Sequence, residues 1–136
     1  MIREAKISDC ELLISLAGKE NSEEQMKEMR KSLTSYNEAV FIDYENEIPV
    51  GYAICGIKEE ESLEPVATLS ELNLKPTYRN KGIDKRLLNK CENWAKDKGC
   101  KTFAVTCLAE DTQKIDFYNY AGFKKTNNIV YFSKEL

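Results

Sequence analysis

The stretch that decides the fold is KPTYRNKGIDKRLL, residues 75–88. Leu74 closes a run, VATLSELNL, that suits a pleated surface, and Pro76 then breaks it. From Ile83 onward the apolar positions Ile83, Leu87, Leu88, Cys91, Trp94 and Ala95 recur in helical steps, and Gly99 supplies a C-terminal stop. A strand, a short basic turn and an amphipathic helix therefore follow one another. The first amides of such a helix have no intrahelical acceptors, and its dipole adds partial positive charge there. Gly82 lets the backbone approach a ligand closely, and Arg79, Lys81 and Lys85 add cationic charge. A phosphate suits that place. Basic turns before helices are also common as plain surface, and the GxxxxGK[ST] nucleotide loop is absent.

Outward from this turn, the pattern predicts one α/β domain over residues 1–136. MIREA is a first strand, and Asp9 is placed to cap a helix over residues 10–19. Ser22 and Gln25 form a capping-box pattern ahead of a second helix, EEQMKEMRKSL. AVFIDYENEIPVGYAICGI gives two strands joined by a polar turn, with Pro49 tolerated at the start of the second. After the long helix, CKTFAVTCL is a strand, Asp111 caps a helix that Gly122 ends, and NIVYFSKEL is a last strand. The order is β-α-α-β-β-β-α-β-α-β. The strand–helix–strand passage over residues 67–107 implies a parallel crossover and hence a mixed sheet.

Composition narrows the chemistry. The 136 residues include no histidine, so Ser-His and Cys-His nucleophile pairs and the common zinc sites are excluded. Proton transfer falls to a carboxylate, a tyrosine, a lysine or water. Five scattered cysteines without CxxC spacing read as reduced thiols, with a metal or redox pair as the alternative. A net charge of −3 argues against nucleic acid as the main partner. No apolar run suits a membrane span or a signal peptide, so a cytoplasmic location is expected. Acidic ENSEEQ and KEEESLE are solvated faces, or a surface that steers a cationic substrate.

A second segment, FYNYAGF at residues 117–123, follows the glycine turn by about one strand and one helix. Together they resemble the GNAT (GCN5-related) acetyltransferases, which use acetyl-coenzyme A. Their pyrophosphate loop, [QR]-x-x-G-x-[GA], is matched by Arg79, Asn80, Lys81, Gly82, Ile83 and Asp84, with Asp84 where that family prefers glycine or alanine. Tyr118 through Phe123 match its later tyrosine-glycine-phenylalanine segment. Within the family the likeness is to aminoglycoside 6'-N-acetyltransferases, through SELNLKP, NWAKDKGCKTFA and GFKKTNNIVYFSK. Thr106 stands where those enzymes carry an aspartate.

The resemblance implies direct attack of an amine on the thioester, with no metal. Glu71 is the candidate general base, unless it is an ordinary strand carboxylate. Tyr118 is the candidate acid for the thiolate, unless it is only a core aromatic. Backbone groups of Leu72, Asn73 and Leu74 would polarise the carbonyl and pair with the pantetheine arm. The loop residues with Lys85 would hold the diphosphate. Asp111 and Lys114 would touch the coenzyme, though a helix cap and a solvated lysine explain them too. The implied acceptor is a small cationic amine, with an aminoglycoside as one candidate, and a homodimer through the final strand is left open.

Overall fold

A computed structural model describes residues 1–58, 64–126 and 130–136. The chain divides into two compact units, Met1–Val105 and Thr106–Leu136.

The first unit is a five-stranded sheet in the order β1 (Ile2–Glu4), β2 (Glu38–Glu45), β3 (Ile48–Lys58), β4 (Val66–Leu74), β5 (Thr102–Ala104). Pairings are antiparallel except β4 with β5, which is parallel, so the sheet is mixed. Asn46 and Glu47 both take positive φ, 49° and 68°, between the paired residues Glu45 and Ile48. That is the two-residue turn whose twist matches the flanking strands.

Strand alternation assigns the two faces. Val40, Ile42, Tyr52 and Ile54 pack with Leu13, Ile14, Leu16 and Met29 of α1 (Cys10–Leu16) and α2 (Glu23–Thr34). Ala39, Phe41, Val50, Ala53 and Cys55 pack with Ile83, Leu87 and Cys91 of α3 (Ile83–Asp97). Leu87 and Leu88 are fully buried, as the helical spacing requires. Each contributes on the order of 2–3 kcal/mol relative to an exposed side chain. Cys10, Cys55, Cys91 and Cys100 are buried free thiols, and Cys107 is exposed.

In the second unit, α4 (Thr112–Tyr120) starts where Asp111 accepts the N–H of Lys114 and ends at Gly122, whose φ is 94°. The N–H of Gly122 donates to Asn119 and that of Phe123 to Tyr118, the paired bonds of a Schellman end.

Three expectations change. Asp9 does not cap α1, because its carboxylate is bound by the Arg3 guanidinium at 2.7 and 2.8 Å and by the Lys6 N–H. Charge-assisted bonds outcompete a helix amide. The strand expected over residues 100–108 is only Thr102–Ala104, because β4 bulges just beyond its last β5 partner and bends away from that line. The final strand is not formed over residues 130–136: Val130, Tyr131 and Phe132 are 73%, 89% and 88% exposed. No strand lies among the described residues of that unit to pair with them, and an unpaired strand leaves its amides to water. The remainder of that segment, residues 127–129, and most of the acidic KEEESLE run, residues 59–63, lie outside the described residues.

Candidate active site

The site on the first unit begins with one irregularity. Ile54 pairs with Glu71, but the next residue of β3, Cys55, pairs with Leu69, so Ser70 is an extra residue in β4. In a regular strand, residues 69 and 71 would point to the same face. The bulge breaks that rule. Leu69 stays with the α3 layer, along with Leu72 and Leu74, while Glu71 and Asn73 reach the hydroxyl of Tyr52. Tyr52 is fully buried, donates to Glu71 Oε2 at 2.5 Å and accepts from Asn73 Nδ2 at 2.9 Å. Burial first, and the adjacent Glu71 carboxylate second, push its phenol far above the usual range.

The same strand has a bare edge. β5 covers only Val66–Thr68, and residues 69–74 run on with no partner on that side among the described residues of the unit. The N–H of Lys75 donates to Val50 O at 2.8 Å, toward β3. Backbone direction alternates along a strand, so Asn73 also faces β3 while Leu72 and Leu74 present their N–H and C=O groups to the open edge. Of the three residues expected to meet the pantetheine arm, Leu72 and Leu74 therefore have backbone groups at this edge. Asn73 is engaged with β3 and Tyr52 instead.

A 3-10 turn over Pro76–Tyr78 leads from β4 into the basic loop. Asn80 at φ 62° and Gly82 at φ 80° turn the chain through left-handed conformations into α3. A Cβ on Gly82 would meet nothing within 4 Å, so conformation and not space calls for glycine there. Ile83, 1% exposed, anchors the helix start in the core. Arg79, Asn80, Lys81 and Lys85 are exposed around it. The Lys81 ammonium sits 5.2 Å from the Tyr78 ring centroid, a cation–π distance. Asp84 does not point away: its Oδ1 accepts the N–H of Lys85 at 2.8 Å, partnering one of the first-turn amides.

Arg86, one residue on, ties this helix end to the sheet. Its Nε donates to Oδ2 of the fully buried Asp43 at 2.7 Å, and its Nη2 reaches Glu45. Both carboxylates hold the guanidinium firmly in its charged form, Asp43 contributing most. Sequence inspection missed Arg86, Asp43 and Tyr52. A lone aspartate among apolar residues in AVFIDYE was the available signal for Asp43.

In the second unit, Tyr118 is half-buried, with ring centroids of Phe117 at 5.5 Å and Phe123 at 5.6 Å. Burial first, then the nearby Cys107 and Asp111, raise its phenol above the ordinary value. Asp111 caps α4, and its carboxylate lies 3.9 Å from the Lys114 ammonium. Among the described residues no group of three or more cysteines and carboxylates could hold a metal, and no helix is long and apolar enough to cross a membrane.

The model of the acetyltransferase (GNAT) family matches residues 8–123, across both units. The chain belongs to that family. Its enzyme class is thereby the acetyl-CoA-dependent N-acetyltransferases. An aminoglycoside N(6')-acetyltransferase type 1 from Acinetobacter baumannii is 26% identical over 99% of this chain and 96% of its own length. The crystal structure of aminoglycoside 6'-N-acetyltransferase AAC(6')-Ih from Acinetobacter baumannii has a TM-score of 0.86 at 24% identity, covering 100% of this chain and 98% of that one. AAC(6')-Iy, solved with the bisubstrate analogue CoA-S-monomethyl-acetylneamine, has a TM-score of 0.84 at 21% identity over 100% and 98%. At those identities the two structures establish the shared mixed α/β fold.

Proposed function

We propose that the two units form one catalytic domain that moves the acetyl group of acetyl-CoA to a primary amine of a small cationic acceptor, an aminoglycoside being the first candidate. The observation that carries this is the arrangement of β4. One strand offers an unpaired edge at Leu72 and Leu74, a bulge-directed carboxylate at Glu71, and a basic left-handed loop leading into a helix N-terminus. The family model runs through both units, which supports treating them as one domain.

In this mechanism the pantetheine arm adds to the β4 edge, and the diphosphate meets the amides and side chains of Arg79, Asn80, Lys81, Gly82, Ile83 and Lys85. Asp111 and Lys114 contact the coenzyme from the start of α4. The acceptor ammonium gives one proton to Glu71, directly or through a water. The neutral nitrogen attacks the thioester carbon, a C–N bond forms, and the carbonyl oxygen takes negative charge beside a β4 amide. The C–S bond then breaks. The nitrogen gives its second proton to water as the thiolate gains one from Tyr118, water returns a proton to Tyr118, and Glu71 releases its proton to solvent, so one proton is released overall. No acyl-enzyme forms.

Thiol release from acetyl-CoA, measured with aminoglycosides, polyamines, lysine and a peptide N-terminus, tests the proposal. Release with at least one small amine and none with the peptide is expected. No release with any of them, at normal cofactor occupancy, rejects it. Release with an aminoglycoside would extend the reading to antibiotic resistance.

One observation favours a second reading, an acyl-CoA-binding module without turnover. Asp84 places a carboxylate on the helix terminus that the diphosphate needs, and Thr106 provides no charge for a substrate ammonium. That reading expects thermal stabilisation by acetyl-CoA and no acetylated product, and measurable product ends it.

A further inference from the structure

Among the described residues Tyr52 is the largest fully buried side chain, set in the middle of β3 among the aliphatic residues of the α1–α2 layer. A phenylalanine would fill the same space, so the hydroxyl is the part that packing does not explain. A buried phenol needs polar partners. This one has two, and their chemistry gives the bond chain a direction. An amide nitrogen can only donate, and an ionised carboxylate can only accept. With Asn73 Nδ2 occupying the oxygen, the single phenolic proton lies toward Glu71 Oε2.

Both partners come from the part of β4 that follows the bulge at Ser70. Glu71 itself remains partly open to solvent, whereas Tyr52 does not. One carboxylate oxygen is therefore fixed from the core side, and the other has no hydrogen bond among the described residues. Burial keeps the phenol protonated well beyond neutral pH, so the donor persists across any working range.

We infer that Tyr52 is a positioning residue for acetyl transfer: its hydroxyl, directed by Asn73, holds Oε2 of Glu71 and leaves Oε1 as the atom that receives the acceptor's proton. The inference rests on the proposed role of Glu71 as base. The proton passes from nitrogen, or a bridging water, to Oε1 and thence to solvent; Tyr52 neither gains nor loses one. Its effect is orientation, since a base displaced by a fraction of an ångström transfers protons less efficiently.

The test is a double-mutant cycle of wild type, Tyr52→Phe, Glu71→Gln and the double variant. Each is assayed for thiol release with the amine that wild type turns over fastest. Tyr52→Phe is expected to lower kcat about tenfold, the scale of a lost hydrogen bond to a charged group, and to leave KM for acetyl-CoA within about twofold. In the Glu71→Gln background the same change should alter kcat by less than about twofold. A merely structural tyrosine would lower both backgrounds by the same factor, which overturns the inference. If Glu71→Gln is slow while Tyr52→Phe keeps wild-type kcat, positioning fails and the base survives. If Glu71→Gln keeps wild-type kcat, or wild type turns over no amine, the base assignment falls and the inference with it. Should Tyr52→Phe not fold, Asn73→Leu replaces it in the cycle. A lowered kcat confined to the Glu71 background supports the inference, and an unchanged kcat overturns it.

Discussion

The carboxylate of Asp84 and the backbone N–H of Lys85 are hydrogen-bonded at 2.8 Å in the first turn of α3. An acid in that turn stabilises the helix by roughly 0.3–1 kcal/mol, yet it also opposes any anion brought to the same amides. Helix stability and cofactor affinity are in conflict at this residue. Asp84→Ala should therefore tighten coenzyme A about three- to tenfold by calorimetry at low salt. The gain should shrink in concentrated salt, where the repulsion is screened. Equal dissociation constants would remove Asp84 from the cofactor site.

Arg86 is a different kind of anchor. Its partner Asp43 is fully buried, so Arg86→Ala leaves a carboxylate with little compensation. Breaking a buried pair costs about 3–5 kcal/mol, but Asp43 keeps a contact to the Met1 amino group at 3.2 Å. The expected loss is thus about 2 kcal/mol in urea unfolding, with Asp43→Asn recovering part of it in the double variant. A loss below about 0.5 kcal/mol would show that the pair behaves as a surface bridge.

Stability should depend on acid through Asp9. The Arg3 guanidinium, aided by the Lys6 N–H, lowers the Asp9 carboxyl from 3.8 to about 2. A depressed carboxyl stabilises the fold above its unfolded value and loses that contribution as pH falls through the folded one. Arg3 is partly exposed, at 35%, so solvent screening reduces the effect to about 1–1.5 kcal/mol. Asp9→Asn should be destabilised by that amount at pH 7, and most of the difference from wild type should be gone by about pH 2. A difference that persists unchanged at pH 2 would contradict the assignment.

Gly51 lies against the end of β4: a Cβ there would come within 2.5 Å of a Leu74 methyl and 2.8 Å of the Asn73 carbonyl oxygen. The carbonyl is backbone and cannot rotate aside. Gly51→Ala should push Leu74 and the pantetheine edge outward, raising KM for acetyl-CoA several-fold and lowering the melting temperature. An unchanged KM would mean that the edge is not the coenzyme's seat.

Tyr118→Phe keeps the ring contacts with Phe117 and Phe123 and deletes only the hydroxyl that carries the proton. Turnover should fall about tenfold or more with little change in coenzyme affinity, as measured by steady-state kinetics and calorimetry. Unchanged turnover would take Tyr118 off the proton path.

How much of this was legible in the chain depended on whether a signal was local. The α3 face, the Asp111 cap and the Gly122 stop are written within a few residues of where they act, and they form as expected. Bonds between distant elements are not written that way. Arg3 captures Asp9 and defeats a good N-cap pattern, because a guanidinium arriving from β1 is invisible to local inspection. The Ser70 bulge likewise leaves no mark in VATLSELNL, since a one-residue slip appears only when β3 is laid beside β4. Glu71 could be singled out through a resemblance, but its face, and the Tyr52 hydroxyl that meets it, came from pairing. The last strand looked apolar enough, yet alternation cannot supply a partner.

The central claim is that the bare edge of β4 and the start of α3 together seat acetyl-CoA. A crystal structure of the acetyl-CoA complex tests it most directly. The account predicts pantetheine amides bonded to the backbone of Leu72 and Leu74, with the diphosphate over residues 82–85 and the Asp84 carboxylate displaced from the Lys85 amide. A coenzyme bound elsewhere, or an empty loop with Asp84 still in place at saturating acetyl-CoA, would contradict it.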